Sequence, residues 1–265
     1  NNQDVLIKSV AELNPNTIVT LTTGTGVETE SWLPKVKGLL HCFFLGEKGG
    51  KAVAEIIFGK VNPSGKLPFT MAKQWDDFEA VKYYVDKPEK ISISRIIGPQ
   101  GKPKFRRKRD MEYGEKLMVG YRHFDTNSVV PQFPFGYGLS YSQFELGPFE
   151  ISTMSLAIAS LKSGEVVTVS GSVKNTSDIE GAEVVQLYVK DQECSLIRPE
   201  KELKGFQKIN CLPGETKEVS IELDLAAFSF YDDRISQWNV EAGVFILMVG
   251  TGSRGSFQEF TITLE

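Results

Sequence analysis

Several groups of residues have types and spacings that could do chemistry. Thr23-Gly-Thr-Gly26 follows a β-branched run, and the stretch from Gly59 to Gly65, with Lys66 after it, follows an apolar one. A phosphate cradle needs a set loop length, a lysine and a hydroxyl for magnesium, whereas a dinucleotide turn needs three glycines opening a helix. Thr23–Gly26 lacks the third glycine. Gly59 to Gly65 has only five intervening residues, and no Ser or Thr follows Lys66. Neither is therefore read as a nucleotide site. A dense basic run follows, comprising Lys102, Lys104, Arg106, Arg107, Lys108 and Arg109, with Phe105 inside it and Tyr113 just beyond. Its leading reading is a solvated loop. The others are a polyanion or nuclear-localisation patch, and a loop that folds over a neighbouring site or subunit. Asp232-Asp-Arg234 joins carboxylates to a cation and reads as a charged surface turn. Asn175-Thr-Ser177 has the pattern of an N-glycosylation acceptor, with a plain turn as at least its equal. Cys42, Cys194 and Cys211 show no metal-ligand spacing and no disulfide density. Cys42, in an apolar run, is expected to be a core thiol.

The elements that would position these residues divide into two styles. The chain has 265 residues, 41% hydrophobic and 24% charged, enough for one or two ordinary globular domains. A net charge of -4 argues against a dedicated nucleic-acid binder. No apolar run approaches the roughly 20 residues needed to cross a bilayer. Asn1-Asn-Gln-Asp4 has neither the basic start nor the apolar stretch of a signal peptide. From Gln3 to Leu13, apolar residues recur at helical spacing, and Asn14-Pro15 ends the pattern. Thr17 to Thr22 reads as a strand and Trp32 to Lys37 as a short helix or turn. Gly38 to Leu45 reads as a strand buried on both faces, and Lys51 to Phe58 as a helix. This is the rhythm of a parallel α/β layer. Val61 to Pro68 reads as a loop or edge strand. From Gln74 to Glu112 the pattern degrades, and Gly98 to Pro103 has loop composition.

Phe133-Pro-Phe-Gly-Tyr-Gly-Leu-Ser-Tyr141 separates the two styles. It holds a proline and two glycines among aromatics, and it reads as a linker or a rigid joint whose aromatics should be largely buried. Beyond it, short runs alternate with period two: Val166 to Lys174, Ala182 to Val189, Lys204 to Ile209, Lys217 to Leu223, Gln237 to Val240, Val244 to Val249 and Phe257 to Leu264. About seven such strands predict an immunoglobulin-like or fibronectin type III-like β-sandwich. The expected fold class is α/β plus all-β, with an incomplete α/β sandwich domain at 1–132, a joint at 133–144 and the β-sandwich at 145–265.

An ordered set of motifs resembles the C-terminal half of glycoside hydrolase family 3 enzymes, the family of many β-glucosidases. It comprises Asn14-Pro-Asn-Thr-Ile-Val-Thr-Leu21, Leu45-Gly-Glu-Lys-Gly-Gly-Lys-Ala-Val-Ala54, and Phe58-Gly-Lys-Val-Asn-Pro-Ser-Gly-Lys-Leu-Pro68. Tyr113-Gly-Glu, Gly120-Tyr-Arg-His-Phe-Asp125 and the 133–141 segment follow in family order. Gly181 to Val189, Arg198-Pro-Glu-Lys-Glu-Leu-Lys-Gly-Phe206 and Leu212 to Lys217 continue the likeness.

The resemblance implies one part of a retaining β-glycosidase acting on a β-linked glycoside or oligosaccharide, most simply a β-glucosidase that removes terminal glucose. Such chemistry needs two carboxyl groups roughly 5–5.5 Å apart, a nucleophile and an acid/base. In the family the nucleophile is an Asp on a barrel domain, and the acid/base Glu sits in a Glu-x-x-Asp-Arg segment. Neither has a counterpart in these residues, and both would lie upstream of Asn1. Asp232-Asp-Arg234, the nearest string, is in the wrong domain. The chain alone is thus expected to be inactive. Its partner would be the missing N-terminal barrel part of the same enzyme, and the missing first part of the α/β sandwich would leave apolar strand edges uncovered unless a partner chain is present. No catalytic residue, metal or cofactor is assigned. The basic insert at 87–112 departs most from the family pattern. Phe105, Arg106, Arg109 and Tyr113 are candidates for the lip of the substrate cleft, or for contact with a second subunit in a homodimer. No nucleic-acid or membrane partner is implied, and the compartment leans towards secreted or extracytoplasmic. The competing reading is a non-catalytic binding or structural protein built from the same domains, because a fold alone does not fix a function.

Overall fold

The computed structural model of the chain describes residues 2–83, 91–97, 103–109 and 112–265, with 91–97 and 103–109 as backbone only. The first half is built on a short parallel layer. Helix α1 (Asn2–Leu13) carries Asp4 in its first turn, which suits the positive end of the helix dipole. It ends where Asn14 donates to the Val10 carbonyl and its own side chain accepts from Asn16 N, an Asx-type stop. Strand β1 (Ile18–Leu21) then pairs in parallel with β2 (Gly38–His41), from Ile18 opposite Gly38 to Leu21 opposite His41. A parallel pair needs a crossover between its strands, and residues 22–37, with a single 3-10 turn at Leu33–Lys35, supply it. Helix α2 (Gly49–Ile57) follows. No helix among the described residues is long and apolar enough to cross a membrane.

Two expectations for this half are corrected. The apolar run from Gly38 is not a strand buried on both faces. It leaves the sheet after His41, Phe43 takes a φ of 52°, and Phe44 is 80% exposed. Cys42 is half-buried rather than a core thiol. Of α1, only Ala11 is buried, whereas Val5, Leu6, Val10 and Leu13 face outward.

The basic run is corrected as well. Rather than a solvated loop, Pro103–Arg109 forms strand β4, antiparallel to β3 (Ile91–Ile97), with Ile91 opposite Arg109 and Ile97 opposite Pro103. Ile91, Ile93, Ile96 and Ile97 supply β-branched partners, so a run of like charges still pairs as a strand. Of the loop expected at Gly98 to Pro103, residues 98–102 lie outside the described residues and Pro103 opens β4. Helix α3 (Tyr121–Thr126) leads to the 133–141 segment.

The second half is a β-sandwich. After β5 (Phe144–Leu146), β6 (Glu150–Ile151), β7 (Ser155–Leu156) and α4 (Ile158–Lys162) come β8 (Val167–Asn175), β9 (Gly181–Asp191), β10 (Glu202–Cys211) and β11 (Thr216–Leu223). Helix α5 (Leu225–Phe228), β12 (Phe230–Asp232), β13 (Gln237–Asn239), β14 (Gly243–Gly250) and β15 (Gln258–Leu264) complete the chain. One sheet runs β10-β9-β14-β15-β7 and the other β11-β8-β5, with β6 also on β8. All pairs are antiparallel except β15 with β7. Alternation explains the core. On β11, Val219, Ile221 and Leu223 are buried, while Glu218, Ser220 and Glu222 between them are exposed. These pack with Val167, Val169 and Val173 of β8 against Val185, Leu187, Phe245, Leu247 and Ile262 of the facing sheet. Asp224 caps α5 by accepting from Ala226 N and Ala227 N.

One of the seven expected strands does not belong to the sandwich sheets. Gln237–Asn239 pairs with Phe230–Asp232 in a separate two-stranded ribbon. The turn expected at Asp232-Asp-Arg234 is only partly surface, since Asp232 is buried.

Candidate functional site

Helix α3 is where the two halves meet. Gly120 precedes it at a φ of 57°, and the helix presents Tyr121, Arg122, Asp125 and Thr126 to the sandwich. The Tyr121 hydroxyl accepts from Leu203 N at 2.8 Å, and Thr126 Oγ1 accepts from Glu200 N at 2.8 Å. Arg122 Nη2 lies 3.1 Å from Glu202 Oε1. The other oxygen of Glu202 takes Arg198 Nη2 at 2.6 Å, and Arg198 Nη1 reaches Asp191 Oδ2 at 3.0 Å. Burial pushes the Glu202 carboxyl up, but the Arg198 hydrogen bond and the charges of Lys204, Arg198 and Arg122 outweigh it and hold the group below its ordinary range. Lys204 is pushed down by burial against the pull of Glu202. Asp125 bridges two cations of the sandwich, Arg254 through Oδ1 at 2.7 Å and Lys201 through Oδ2 at 2.9 Å. Arg254 also donates to the carbonyls of Phe124 and Val129. Lys201 sits over the Tyr188 and Phe257 rings. A cleft of about 330 Å³ opens here over Asp125, Lys201, Ser253, Arg254 and Phe257. Each oxygen of the Asp125 carboxylate lies within ion-pair distance of a cation, which makes the cluster a structural clamp between the halves.

The 133–141 segment forms the second limb of the joint. Met71 bridges Phe133, the Leu67 carbonyl accepts from Gly136 N, and Ser253 N donates to the Phe135 carbonyl. Gly136 sits at a φ of 82°, and a Cβ there would lie 2.5 Å from Gln186 Nε2 and 2.9 Å from Gly252 Cα. Asn62 ties the limb together. Its Nδ2 donates to Ser142 Oγ and the Glu180 carbonyl, and its Oδ1 accepts from Ser140 Oγ and Tyr141 N. Lys66 spans the Gly138 carbonyl and Glu183. The expected burial of the aromatics holds only in part: Phe133 and Phe135 are half-buried, while Tyr137 and Tyr141 are exposed at 37% and 46%. The joint is held by polar bonds to its backbone more than by its rings.

A second edge lies at the carboxyl ends of β1 and β2, where ligands bind in open α/β sheets. His41 Nε2 is 3.3 Å from the Thr25 carbonyl, and the His41, Phe43 and Phe69 rings cluster. Glu28 accepts from Trp75 N. The side-chain oxygens of Thr29 and Thr70 are buried there without a partner.

Of the residues expected at a cleft lip, Phe105, Arg106 and Arg109 lie on β4, where Phe105 is opposite Arg95, Arg106 opposite Ser94 and Arg109 opposite Ile91. Tyr113 is 79% exposed, next to Gly114, which packs against the Tyr83 ring. Asn175 is fully buried. Its Nδ2 donates to the Ile179 and Cys211 carbonyls and its Oδ1 accepts from Ser177 N, which makes the segment a turn rather than a glycan acceptor. Sequence reasoning missed Asp125, Lys201, Arg254 and Arg198 as joint residues. The signal for Asp125, Lys201 and Arg198 was their place in the Gly120–Asp125 and Arg198–Phe206 motifs, whereas Arg254 lies in neither. Among the described residues no three His, Cys, Asp or Glu side chains form a group that could hold a metal ion.

A profile for the glycosyl hydrolase family 3 C-terminal domain matches residues 1–141, and one for a fibronectin type III-like domain matches residues 183–253. The thermostable β-glucosidase B of Acetivibrio thermocellus is 39% identical over 253 residues, covering 96% of this chain and 30% of that protein. An exo-α-(1→6)-L-arabinopyranosidase of Bifidobacterium breve is 37% identical over 264 residues, covering 99% of this chain and 31% of that protein. The crystal structure of a Bifidobacterium adolescentis family 3 β-glucosidase superimposes with a TM-score of 0.83 at 34% identity, covering 99% of this chain and 35% of that one. The chain thus spans about 30% of the length of the curated relatives it matches.

Proposed function

Because the chain belongs to glycosyl hydrolase family 3, we propose that it is the C-terminal part of a retaining β-glycosidase whose substrate is a glycoside with terminal β-linked glucose. What supports this reading is likeness along almost the whole chain to β-glucosidases more than twice its length. In the full enzyme, an Asp of the N-terminal part attacks the anomeric carbon and forms a glycosyl-enzyme. A Glu first protonates the leaving oxygen and then activates water. Residues 1–132 form the α/β domain, 133–144 the joint and 145–265 the sandwich. Their work is positional. The α3 clamp and the Asn62 network fix the sandwich on the α/β layer, and the bare apolar side of α1 and of the segment after β2 receives the N-terminal part. Phe105, Arg106, Arg109 and Tyr113 belong to an arm that reaches the lip of the substrate cleft or a second subunit.

The test compares release of p-nitrophenol from the β-glucoside, β-xyloside and α-L-arabinopyranoside by the 265-residue chain and by the full-length product. The expected result is β-glucoside hydrolysis by the full-length product alone. Activity in the 265-residue chain would overturn the assignment of the catalytic carboxylates, and an inert full-length product would favour a binding protein. Deleting residues 98–109 from the full-length product should change kcat/KM or the oligomeric state. If both stay the same, the arm has neither role.

A further inference from the structure

The ribbon of β12 and β13 projects two aromatic side chains that the sandwich core does not use. Tyr231 and Trp238 are directly opposite in register, 51% and 72% exposed, with ring centroids 5.8 Å apart and planes at 76°. Their neighbours in the strands point the other way: Phe230 and Asp232 are buried, and Arg198 stacks over the Phe230 ring. The ribbon is clamped at its turn. Arg234 grips Asp232 through Nε at 2.9 Å and Nη2 at 2.7 Å, and Nη2 also donates to Ser195 Oγ at 3.1 Å. Ser195 in turn donates to Glu241 through both its hydroxyl and its backbone N–H. The turn that carries the two rings is thus held in place.

The electrostatics narrow which ligand the two rings suit. Arg234 is neutralised by Asp232 and Glu241 is hydrogen-bonded within the rim, while exposed Asp233 adds a carboxylate beside them, which disfavours an anionic partner. The rim offers two ring faces, beside exposed Gln237 and the half-exposed Arg234 guanidinium. Ring faces next to amide and guanidinium N–H groups suit a neutral ligand with flat apolar C–H faces and equatorial hydroxyls, which is a pyranose. One ring lies along the sugar face and the perpendicular ring borders its edge. We propose that the Tyr231–Trp238 corner is a sugar-binding surface for neutral β-glycan chains. The proposal rests on the glycosidase reading given above.

Affinity electrophoresis of the full-length product through gels containing a neutral soluble β-glucan tests it, with hydrolysis of p-nitrophenyl β-glucoside measured in parallel. The native protein should be retarded. Trp238→Ala should weaken retardation about tenfold, the loss of one stacked ring, Trp238→Phe should keep most of it, and all three should hydrolyse the small glucoside equally. Equal retardation of Trp238→Ala and the native protein overturns the proposal while hydrolysis of the small glucoside leaves the glycosidase reading intact. Retardation only by carboxymethylated glucan, or a Trp238→Ala variant that changes oligomeric state or loses hydrolysis, also overturns it, since the corner would then serve an ionic ligand, a second copy or the enzyme's own N-terminal part.

Discussion

Asn175 shows how a residue's surroundings decide among chemistries that its sequence leaves open. The acceptor pattern Asn-Thr-Ser is present, but the amide is spent on two carbonyls from separate segments, Ile179 and Cys211. Both N–H bonds are used, and the side chain has no exposed surface. We expect the protein, when expressed through a secretory pathway, to show no mobility change due to this position after treatment with a peptide N-glycosidase. Asn175→Ala should lower stability by about 1–3 kcal/mol, because it removes buried side-chain hydrogen bonds, although the Ile179 carbonyl keeps the Ser142 hydroxyl, as read from chemical denaturation. Tyr141 makes the opposite point. Its ring is half in water, and its main bond is from the hydroxyl to the Ile56 carbonyl at 2.7 Å. Tyr141→Phe should therefore cost about 1 kcal/mol, well short of the 3–5 kcal/mol expected of a fully packed aromatic.

At the scale of elements, helix α3, the start of β10 with the segment before it, the end of β9 and the loop between β14 and β15 act as one charged unit. Asp125 faces Lys201 and Arg254, and all three are largely buried or sheltered. Asp125→Ala leaves two cations without their anion and should cost about 3–5 kcal/mol, seen as separate melting of the two halves in calorimetry. Glu202 gives the unit a pH dependence. Its folded pKa is depressed, so its contribution is fully present above the ordinary carboxylate value of about 4.3 and is lost as pH falls through the folded value. Thermal stability should drop more steeply below about pH 5 in the native protein than in Glu202→Gln, as read from melting temperatures across pH 3–7. Little of this unit was legible in the sequence. Arg254 and Asp125 are 129 positions apart, and no local pattern announces such a bond. The strands β8, β11 and β14 were legible, because a half-buried strand writes its two faces into alternate positions. The β3–β4 pairing was misjudged for a different reason. Charge was taken as a sign of loop, whereas strand pairing depends on the residues opposite.

The whole molecule is short of cover. A folded monomer of 29.5 kDa should expose about 11,500 Å², and this chain exposes 16294 Å². Part of the excess has an address. Val5, Leu6, Val10 and Leu13 of α1, Phe44 and Leu45 after β2, and Phe58 after α2 all face outward on the α/β half. The helix is amphipathic by sequence, yet its apolar stripe meets little of the described chain. The same physics that made these elements readable from periodicity left their apolar sides without a visible partner, because periodicity specifies a face and not what covers it. If the N-terminal part of the enzyme covers this face, substitutions there should have opposite consequences in the two forms of the protein. In the 265-residue chain, Leu6→Ser with Phe44→Ser and Phe58→Ser should reduce self-association by light scattering while changing stability by no more than about 0.5 kcal/mol per site. In the full-length product, each of the three should cost about 1.5–3 kcal/mol, the value of an apolar side chain moved from water to core, as read from thermal unfolding. Equal effects in both forms would show that the face is an ordinary solvent surface. A loss of stability in the 265-residue chain alone would show that these side chains already serve its own core.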